Sequence, residues 1–195
     1  MRLRLPLLQF YRLSVLVGIA WLVRVHHAQL RVQGDAPVQL AELTGWFTNA
    51  VALKLDAGAR GGLHVLGEGD VELGYVIRTQ PDASHIIGYC GITDTLVALD
   101  AEGRVRGFRI RKSEDTKTHV GDVMADRHFK KTWNKLTWEE VAGMDLKQAG
   151  VEGVSGATMT SLAVAEGIVH RFRIAQGELR PQPVRWGARD VGLAT

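Results

Sequence analysis

The longest hydrophobic segment of the chain lies at its N-terminus. Leu5 to Val25 is mostly apolar and would reach about 31 Å as an α-helix at about 1.5 Å per residue, enough to cross the hydrocarbon of a membrane. Arg12 lies within this segment and would have to extend to the headgroups, and His26 is bulky where signal peptidase requires a small residue. The pattern predicts an uncleaved transmembrane anchor in residues 1–28. A cleaved signal peptide and a buried globular helix are the alternatives.

Positive charge is concentrated at the start of this segment. Arg2, Arg4 and Arg12 precede most of its apolar residues, and such a bias favours a cytoplasmic N-terminus. We therefore expect a single-pass protein of the cytoplasmic membrane, with the chain from about His26 onward on the extracytoplasmic side. Cys90 is expected to be a small buried hydrophobe, since a free cysteine is tolerated in that compartment if it is buried.

Residues 29–70 are expected to form a linker and an amphipathic helix. Apolar residues recur near helical spacing between Val38 and Leu55, which predicts one helix packed against a core. The stretch from Gly61 to Gly69 is rich in glycine and is typical of a turn. It lacks the Lys-Ser/Thr ending of a phosphate-binding P-loop.

Strand-like segments follow in the next part of the chain. Val71 to Thr79 and His85 to Gly88 alternate weakly between apolar and polar residues. Thr93 to Asp100 and Arg104 to Lys112 predict a clearer hairpin, with Gly103 supplying the positive φ that a tight connection needs.

Helical patterns dominate the last third of the chain. Asp122 to Leu136 predicts one helix, Thr137 begins a capping box for a short one, and Thr158 to Ala175 predicts a long amphipathic helix. The fold class that follows is α+β, with a small, mainly antiparallel sheet packed by helices and one N-terminal transmembrane helix. The main domain is expected over residues 71–177, followed by an irregular tail at 178–195.

Composition narrows the chemistry available to the polypeptide. Its 195 residues are 46% hydrophobic and carry a net charge of only +3, which fits one globular domain and does not imply nucleic-acid binding. Cys90 is the one cysteine, so a thiolate cluster is excluded, and His119 and His128 match no metal motif. Because no nucleophile–base pair or paired carboxylate motif is evident, we expect no catalytic residues and no metal.

The segment Ser155 to Thr158, which reads Ser-Gly-Ala-Thr, begins the last helix. Gly156 and Ala157 are small enough for a ligand to approach the backbone, and the N–H groups and dipole of a helix start can hold a phosphate. The alternative is that Ser155 only caps the helix. Both interpretations are compatible with the spacing.

Three further segments accompany this tetrapeptide: Gly88 to Ile92, Asp100 to Gly107, and Ser113 to Thr116. In order and spacing they resemble the glycine turn, the strand–turn–strand element and the Glu-Thr segment of the FMN-binding domain family. That family includes subunits of the Rnf complex and of the sodium-pumping NADH:quinone reductase, and the periplasmic module of NosR. The resemblance extends over about residues 74–172, within the predicted domain.

The resemblance implies a covalent FMN whose phosphate is esterified to Thr158, with Thr160 as the competing hydroxyl. Two departures from the family pattern are Glu152, where an aspartate is usual, and the segment Glu114 to Lys117, which reads Glu-Asp-Thr-Lys where Glu-Thr-Pro-Gly is usual. The other cofactor-binding residues that it implies are Ser155, Gly156, Ala157, Glu114, Thr116 and Tyr89.

By the same resemblance the protein is expected to transfer electrons in an extracytoplasmic or membrane-bound respiratory chain, as a subunit rather than as a stand-alone catalyst. Its implied partners are membrane proteins of that chain and an exported, Mg²⁺-dependent flavin transferase. The alternatives are a flavin-free assembly or binding module of the same fold and a flavin reductase that acts on a small substrate.

Overall fold

The computed structural model describes residues 4–35, 37–58 and 60–177. The chain divides into two compact units, Met1–Val38 and Gln39–Thr195. The predicted irregular tail at residues 178–195 lies outside the described residues.

The first unit is built on α1 (Arg4–Asp35), one continuous helix. Arg12 and Arg24 interrupt its apolar sequence. Among the described residues no helix has both the length and the apolar character that crossing a membrane requires, so the predicted N-terminal span is not supported. Several large apolar side chains of α1 are more than half exposed: Tyr11, Leu13, Leu16, Val17, Ile19, Trp21, Leu22 and Val23.

The second unit is centred on a five-stranded sheet. Every neighbouring pair is antiparallel and the strands follow one another in chain order, which confirms the predicted α+β class and sheet type. The first two strands come from the region expected to be linker and helix. The strands are β1 (Ala52–Leu55), β2 (Leu63–Leu66), β3 (Glu72–Arg78), β4 (Thr93–Asp100) and β5 (Val105–Ser113).

The β4–β5 hairpin forms where the sequence predicts it. Gly103 has a φ of 78°, a conformation that side chains disfavour and that the tight turn requires. The register shifts by one residue between the pairs Ala98↔Gly107 and Leu99↔Val105. Arg106 is therefore the extra residue of a β-bulge.

Between the sheet and residue 177, the described chain forms four helices: α2 (Lys117–Ala125), α3 (Arg127–Lys131), α4 (Trp138–Ala142) and α5 (Thr158–Ala175). The expectation of one helix from Asp122 to Leu136 is wrong, because Asp126 has extended backbone and starts a new helix by accepting a hydrogen bond from the Phe129 N–H at 2.8 Å. The capping box at Thr137 and the bounds of α5 match the prediction.

The expected helix from Val38 to Leu55 is also wrong. This region contains a short 3₁₀ turn at Leu40–Glu42 and the strand β1. Leu43 and Phe47 are buried, whereas Leu55 is 73% exposed, so the apolar residues at helical spacing do not share one buried face.

Two other expectations for short segments also fail. The glycine-rich stretch from Gly61 to Gly69 contains β2 rather than a turn alone. His85–Gly88 forms no strand and contributes only one isolated bridge, between Ile87 and Ile92.

The sheet is covered on both faces. On one face the helices bury a core that includes Ile77, Val97, Phe108 and Phe172. On the other face, residues 42–47 pack on the strands. The carboxylate of Glu42 pairs with Arg111 at 2.7 Å, and a Cβ on Gly74 would overlap the ring of Phe47.

Candidate functional site

The carboxylate of Asp115, which is only 6% exposed, connects the glycine turn at residues 88–92 with the first turn of α5. Its Oδ1 accepts hydrogen bonds from the backbone N–H groups of Cys90 at 2.5 Å and Gly91 at 3.2 Å. Its Oδ2 accepts from the hydroxyl of Thr160 at 2.5 Å. One side chain therefore ties the glycine turn after β3, the segment after β5 and the first turn of α5 together.

The hydrogen bonds to Asp115 favour its charged form. Burial by itself raises the pKa of this carboxyl, but the hydrogen bonds from Cys90, Thr160 and neighbouring backbone groups outweigh burial and lower the pKa below its usual value. Asp115 is consequently a buried anion at neutral pH, satisfied by donors from two distant segments.

The glycine turn leaves no room for a side chain at residues 88 and 91. A Cβ on Gly88 would overlap the Asp115 carboxylate, and a Cβ on Gly91 would overlap the side chain of Glu114. The pattern of glycines at residues 88 and 91 therefore follows from the close approach of the turn to the segment after β5.

Glu114 and Thr116 have local partners. The Glu114 carboxylate accepts a hydrogen bond from the Ile92 N–H at 3.2 Å, and Thr116 caps α2 by accepting from the His119 N–H at 3.5 Å. Both side chains belong to exposed residues beside the glycine turn. Their contact with a cofactor stays a prediction.

The start of α5 is not capped by Ser155. The residue preceding the helix is Ala157, no side chain caps it, and Ser155 is exposed, so the structure does not support the capping alternative. Gly156 has a φ of 79° with open space around it. The N–H groups of a first helical turn have no partner within the helix, and Gly156 precedes that turn.

The two candidate threonines are in opposite environments. Thr158 is exposed, and its hydroxyl donates to the carbonyl of Val154 at 3.3 Å. Thr160 is fully buried and bonded to Asp115. A Cβ on Gly153 would lie 2.5 Å from Cγ2 of Thr158, so the loop before α5 packs directly on the exposed threonine.

Exposed apolar and aromatic groups lie on the same segments. Tyr89 is 56% exposed and contacts His119 edge to face, with ring centroids 4.9 Å apart. Nδ1 of His119 is buried and has no hydrogen-bond partner. Met159 is 57% exposed beside Thr158. The aromatic residues Phe129, Trp133 and Trp138 are core residues.

Sequence reasoning missed Asp115 as a residue of this site. Its only signal was its position inside the segment that resembles the family, where Glu114 and Thr116 were selected instead. It also expected Cys90 to be buried, whereas Cys90 is a free, exposed thiol. Among the described residues, no group of three or more His, Cys, Asp or Glu side chains could hold a metal ion.

These residues fit FMN: an exposed hydroxyl at a helix start, first-turn N–H groups that a phosphate could accept from, exposed apolar surface, and an unpartnered ring nitrogen. The structure thus defines an α+β domain with an exposed threonine at the start of its last helix. The family model described as FMN-binding domain matches residues 88–170. This match confirms the resemblance seen in the sequence and supports a flavin-binding domain with a role in electron transfer. No curated protein was found to match the chain.

Proposed function

We propose that Thr158 carries FMN through a phosphoester and that the domain passes electrons within a membrane-bound or extracytoplasmic respiratory chain. The observation that carries the proposal is the contrast between the two threonines. Within a region matched to the FMN-binding domain, Thr158 is exposed, whereas Thr160 is buried and occupied by Asp115.

The chain's own groups would position the cofactor. The first-turn N–H groups of α5 and the positive end of its dipole suit a phosphate on Thr158. Asp115 fixes the glycine turn against that helix, which keeps Tyr89 near the site. FMN, when bound, supplies the ability to take up and release electrons singly or in pairs.

Intact-mass spectrometry of the protein expressed with a flavin transferase tests the linkage. Attachment of FMN adds roughly 440 Da to the chain and a yellow colour that survives denaturation. We expect Thr158→Ala to remove both, while Thr118→Ala, at an exposed threonine of α2, leaves both unchanged. An unmodified wild-type chain would instead favour the flavin-free assembly module.

We further propose that α1 attaches the protein to a membrane, with the domain on the extracytoplasmic side and its redox partners in that membrane. The exposed apolar side chains of α1 support this proposal, because a large exposed apolar surface is typical of a site that contacts a membrane or another protein. Alkaline extraction of membranes tests the attachment. We expect the full chain to stay with the membrane and a chain that starts at Gln39 to be released, whereas release of both would contradict the proposal.

A further inference from the structure

A basic segment lies on α3 and in the turn that follows it. Residues 127–138 include four lysine or arginine side chains, and no aspartate or glutamate is among them. The candidate site at the start of α5 uses none of these cations. They are Arg127, Lys130, Lys131 and Lys135.

Three of the cations lie on one side of α3. Arg127, Lys130 and Lys131 are three and four residues apart in this helix, a spacing that places side chains on the same side. Phe129 lies on the opposite side and is only 3% exposed. Arg127 and Lys131 are exposed and Lys130 is partly buried, so these three side chains form a basic face directed to solvent.

The basic face has no counter-charge in the part of the chain that the structure describes. None of its three cations forms a salt bridge with a described carboxylate. The preceding residue, Asp126, caps the helix, because its carboxylate accepts a hydrogen bond from the Phe129 N–H at 2.8 Å. Arg111 of β5, by contrast, pairs with Glu42 at 2.7 Å. The positive charge of α3 is therefore not neutralised within the described chain.

The basic face is held in place by contacts on both sides of the segment. Beneath α3, the ring of Phe129 contacts that of Trp133, with centroids 6.3 Å apart, and Trp133 is 1% exposed. After the helix, the Lys135 N–H donates to the carbonyl of Val105 at 2.8 Å. The Lys135 carbonyl accepts from Nη1 of Arg104 at 3.2 Å. These contacts fix the segment to the start of β5 and add the charges of two exposed residues, Arg104 and Lys135, beyond the end of α3.

We propose that the basic face docks on a membrane surface that contains anionic phospholipids. The negative potential of such a surface attracts each lysine or arginine near it, and this attraction needs no matching pocket. The inference rests on the proposed membrane attachment through α1 and deepens it, since a second contact restricts how the domain is turned towards the membrane. It does not depend on the flavin linkage.

The composition of the segment favours lipid headgroups over an acidic protein. Protein interfaces centre on exposed aromatic or other apolar side chains, but the aromatic residues of this segment, Phe129, Trp133 and Trp138, are buried. Arginine is preferred where a planar partner is bound by two hydrogen bonds, whereas lysine is a point charge on a flexible stem. Two of the three cations of the basic face are lysines. The attraction should therefore be electrostatic and should weaken as salt screens it.

Acetylation of lysines in the full chain, measured by mass spectrometry, tests the proposal without any substitution. The chain is mixed with phosphatidylcholine vesicles that contain or lack phosphatidylglycerol. We expect phosphatidylglycerol to slow the acetylation of Lys130 and Lys131 about threefold or more. Salt at about 1 M, where the screening length is about 3 Å, should abolish this protection. Lys54 and Lys147 are exposed outside the basic face and should react equally in both kinds of vesicle.

Charge reversal tests the same surface by vesicle sedimentation. In the full chain, Lys130→Glu combined with Lys131→Glu should reduce the extra affinity for vesicles with phosphatidylglycerol about tenfold or more. Lys54→Glu combined with Lys147→Glu changes the net charge equally and should leave this affinity close to that of the wild type. Circular dichroism checks that both double variants fold.

The proposal is overturned if phosphatidylglycerol does not protect Lys130 and Lys131, or protects Lys54 and Lys147 to the same extent. Equal losses of affinity in the two double variants also overturn it. If salt releases the chain from cell membranes but phosphatidylglycerol gives no protection, the partner of the basic face is an acidic protein instead. Alkaline extraction judges the attachment through α1 separately, because it removes proteins held only by surface charge, and the FMN mass judges the flavin linkage.

Discussion

At the scale of single residues, Asp115 organises the candidate site. Its partners are 25 residues away at Cys90 and 45 residues away at Thr160, and it is buried together with them. A buried carboxylate is costly unless several donors satisfy it, and here donors from two segments do so. The position of the glycine turn relative to α5 therefore depends on one anion.

Replacing Asp115 by alanine should lower the free energy of unfolding by about 3 kcal/mol, because the N–H groups of Cys90 and Gly91 and the hydroxyl of Thr160 lose their acceptor. Urea unfolding followed by circular dichroism measures the change. Asp122→Ala, at an exposed aspartate of α2, should change stability by no more than about 0.5 kcal/mol. Equal effects of the two substitutions would contradict the role assigned to Asp115.

The lowered pKa of Asp115 predicts a pH dependence of stability. The folded pKa lies below the unfolded value of about 3.9, so the stabilisation is complete above that value and is lost as the pH falls through the folded pKa. Between pH 6 and pH 3, Asp115→Asn should therefore lose less stability than the wild type. Parallel losses in both proteins would show that other carboxylates account for the acid sensitivity.

The sequence was informative about this site where the signal was local. Ser155 to Thr158 could be placed at a helix start because residues close together in sequence determine a helix terminus. Asp115 could not be singled out, because neither of its partners is within reach of a local pattern. Burial distinguishes the two threonines, so it is the structure that supplies an observation in favour of Thr158 over Thr160.

At the scale of elements, prediction succeeded where periodicity and tertiary packing agree. The apolar positions of α5 face one core, and its predicted bounds are those observed. The segment from Val38 to Leu55 has similar periodicity, but residues 42–47 pack on one face of the sheet, whereas Ala52–Leu55 form the edge strand β1. Periodicity cannot reveal that two parts of one pattern contact different partners.

Two glycine-to-alanine substitutions, one in the loop before α5 and one in α2, should have opposite effects on stability. Gly153→Ala should displace Thr158, because the new Cβ would lie 2.5 Å from its Cγ2. We expect this substitution to lower the free energy of unfolding by about 1–3 kcal/mol. It should also reduce the fraction of chains that gain the FMN mass. Gly121→Ala, inside α2 with open space around it, should stabilise the protein by about 0.5–1 kcal/mol. A fully modified Gly153→Ala chain of wild-type stability would contradict this packing.

At the scale of the whole molecule, long-range contacts join the sheet to the elements on both faces. Arg171 is only 5% exposed and donates to the carbonyls of Arg78 at 2.9 Å and Arg60 at 2.6 Å, and to that of Gly61. It also pairs with Asp82 at 3.2 Å. The helix that begins at Thr158 is thus fixed to β3 and to the connection between β1 and β2, outside the region matched to the family.

The last prediction concerns residues 42–47, which pack on the face of the sheet opposite to the helices. A chain that starts at Gln39 should keep wild-type stability within about 0.5 kcal/mol, because this unit has its own core. A chain that starts at Ala52 also loses Leu43 and Phe47, which are 0% and 3% exposed. At about 1.5–3 kcal/mol for each buried side chain, the two together contribute about 3–6 kcal/mol, which is comparable with the lower end of the stability of a typical domain, about 5–15 kcal/mol.

Thermal and urea unfolding of the two truncated chains tests this dependence. We expect cooperative unfolding only for the longer one, and Phe47→Ala within the longer chain should cost about 3–5 kcal/mol by itself. If the chain from Ala52 unfolded cooperatively at the same midpoint as the chain from Gln39, the sheet would not need residues 42–47 on its second face. Because β3 and β4 carry side chains to both faces, we instead expect loss of that cover to disorder the strands that position Asp115 and the start of α5.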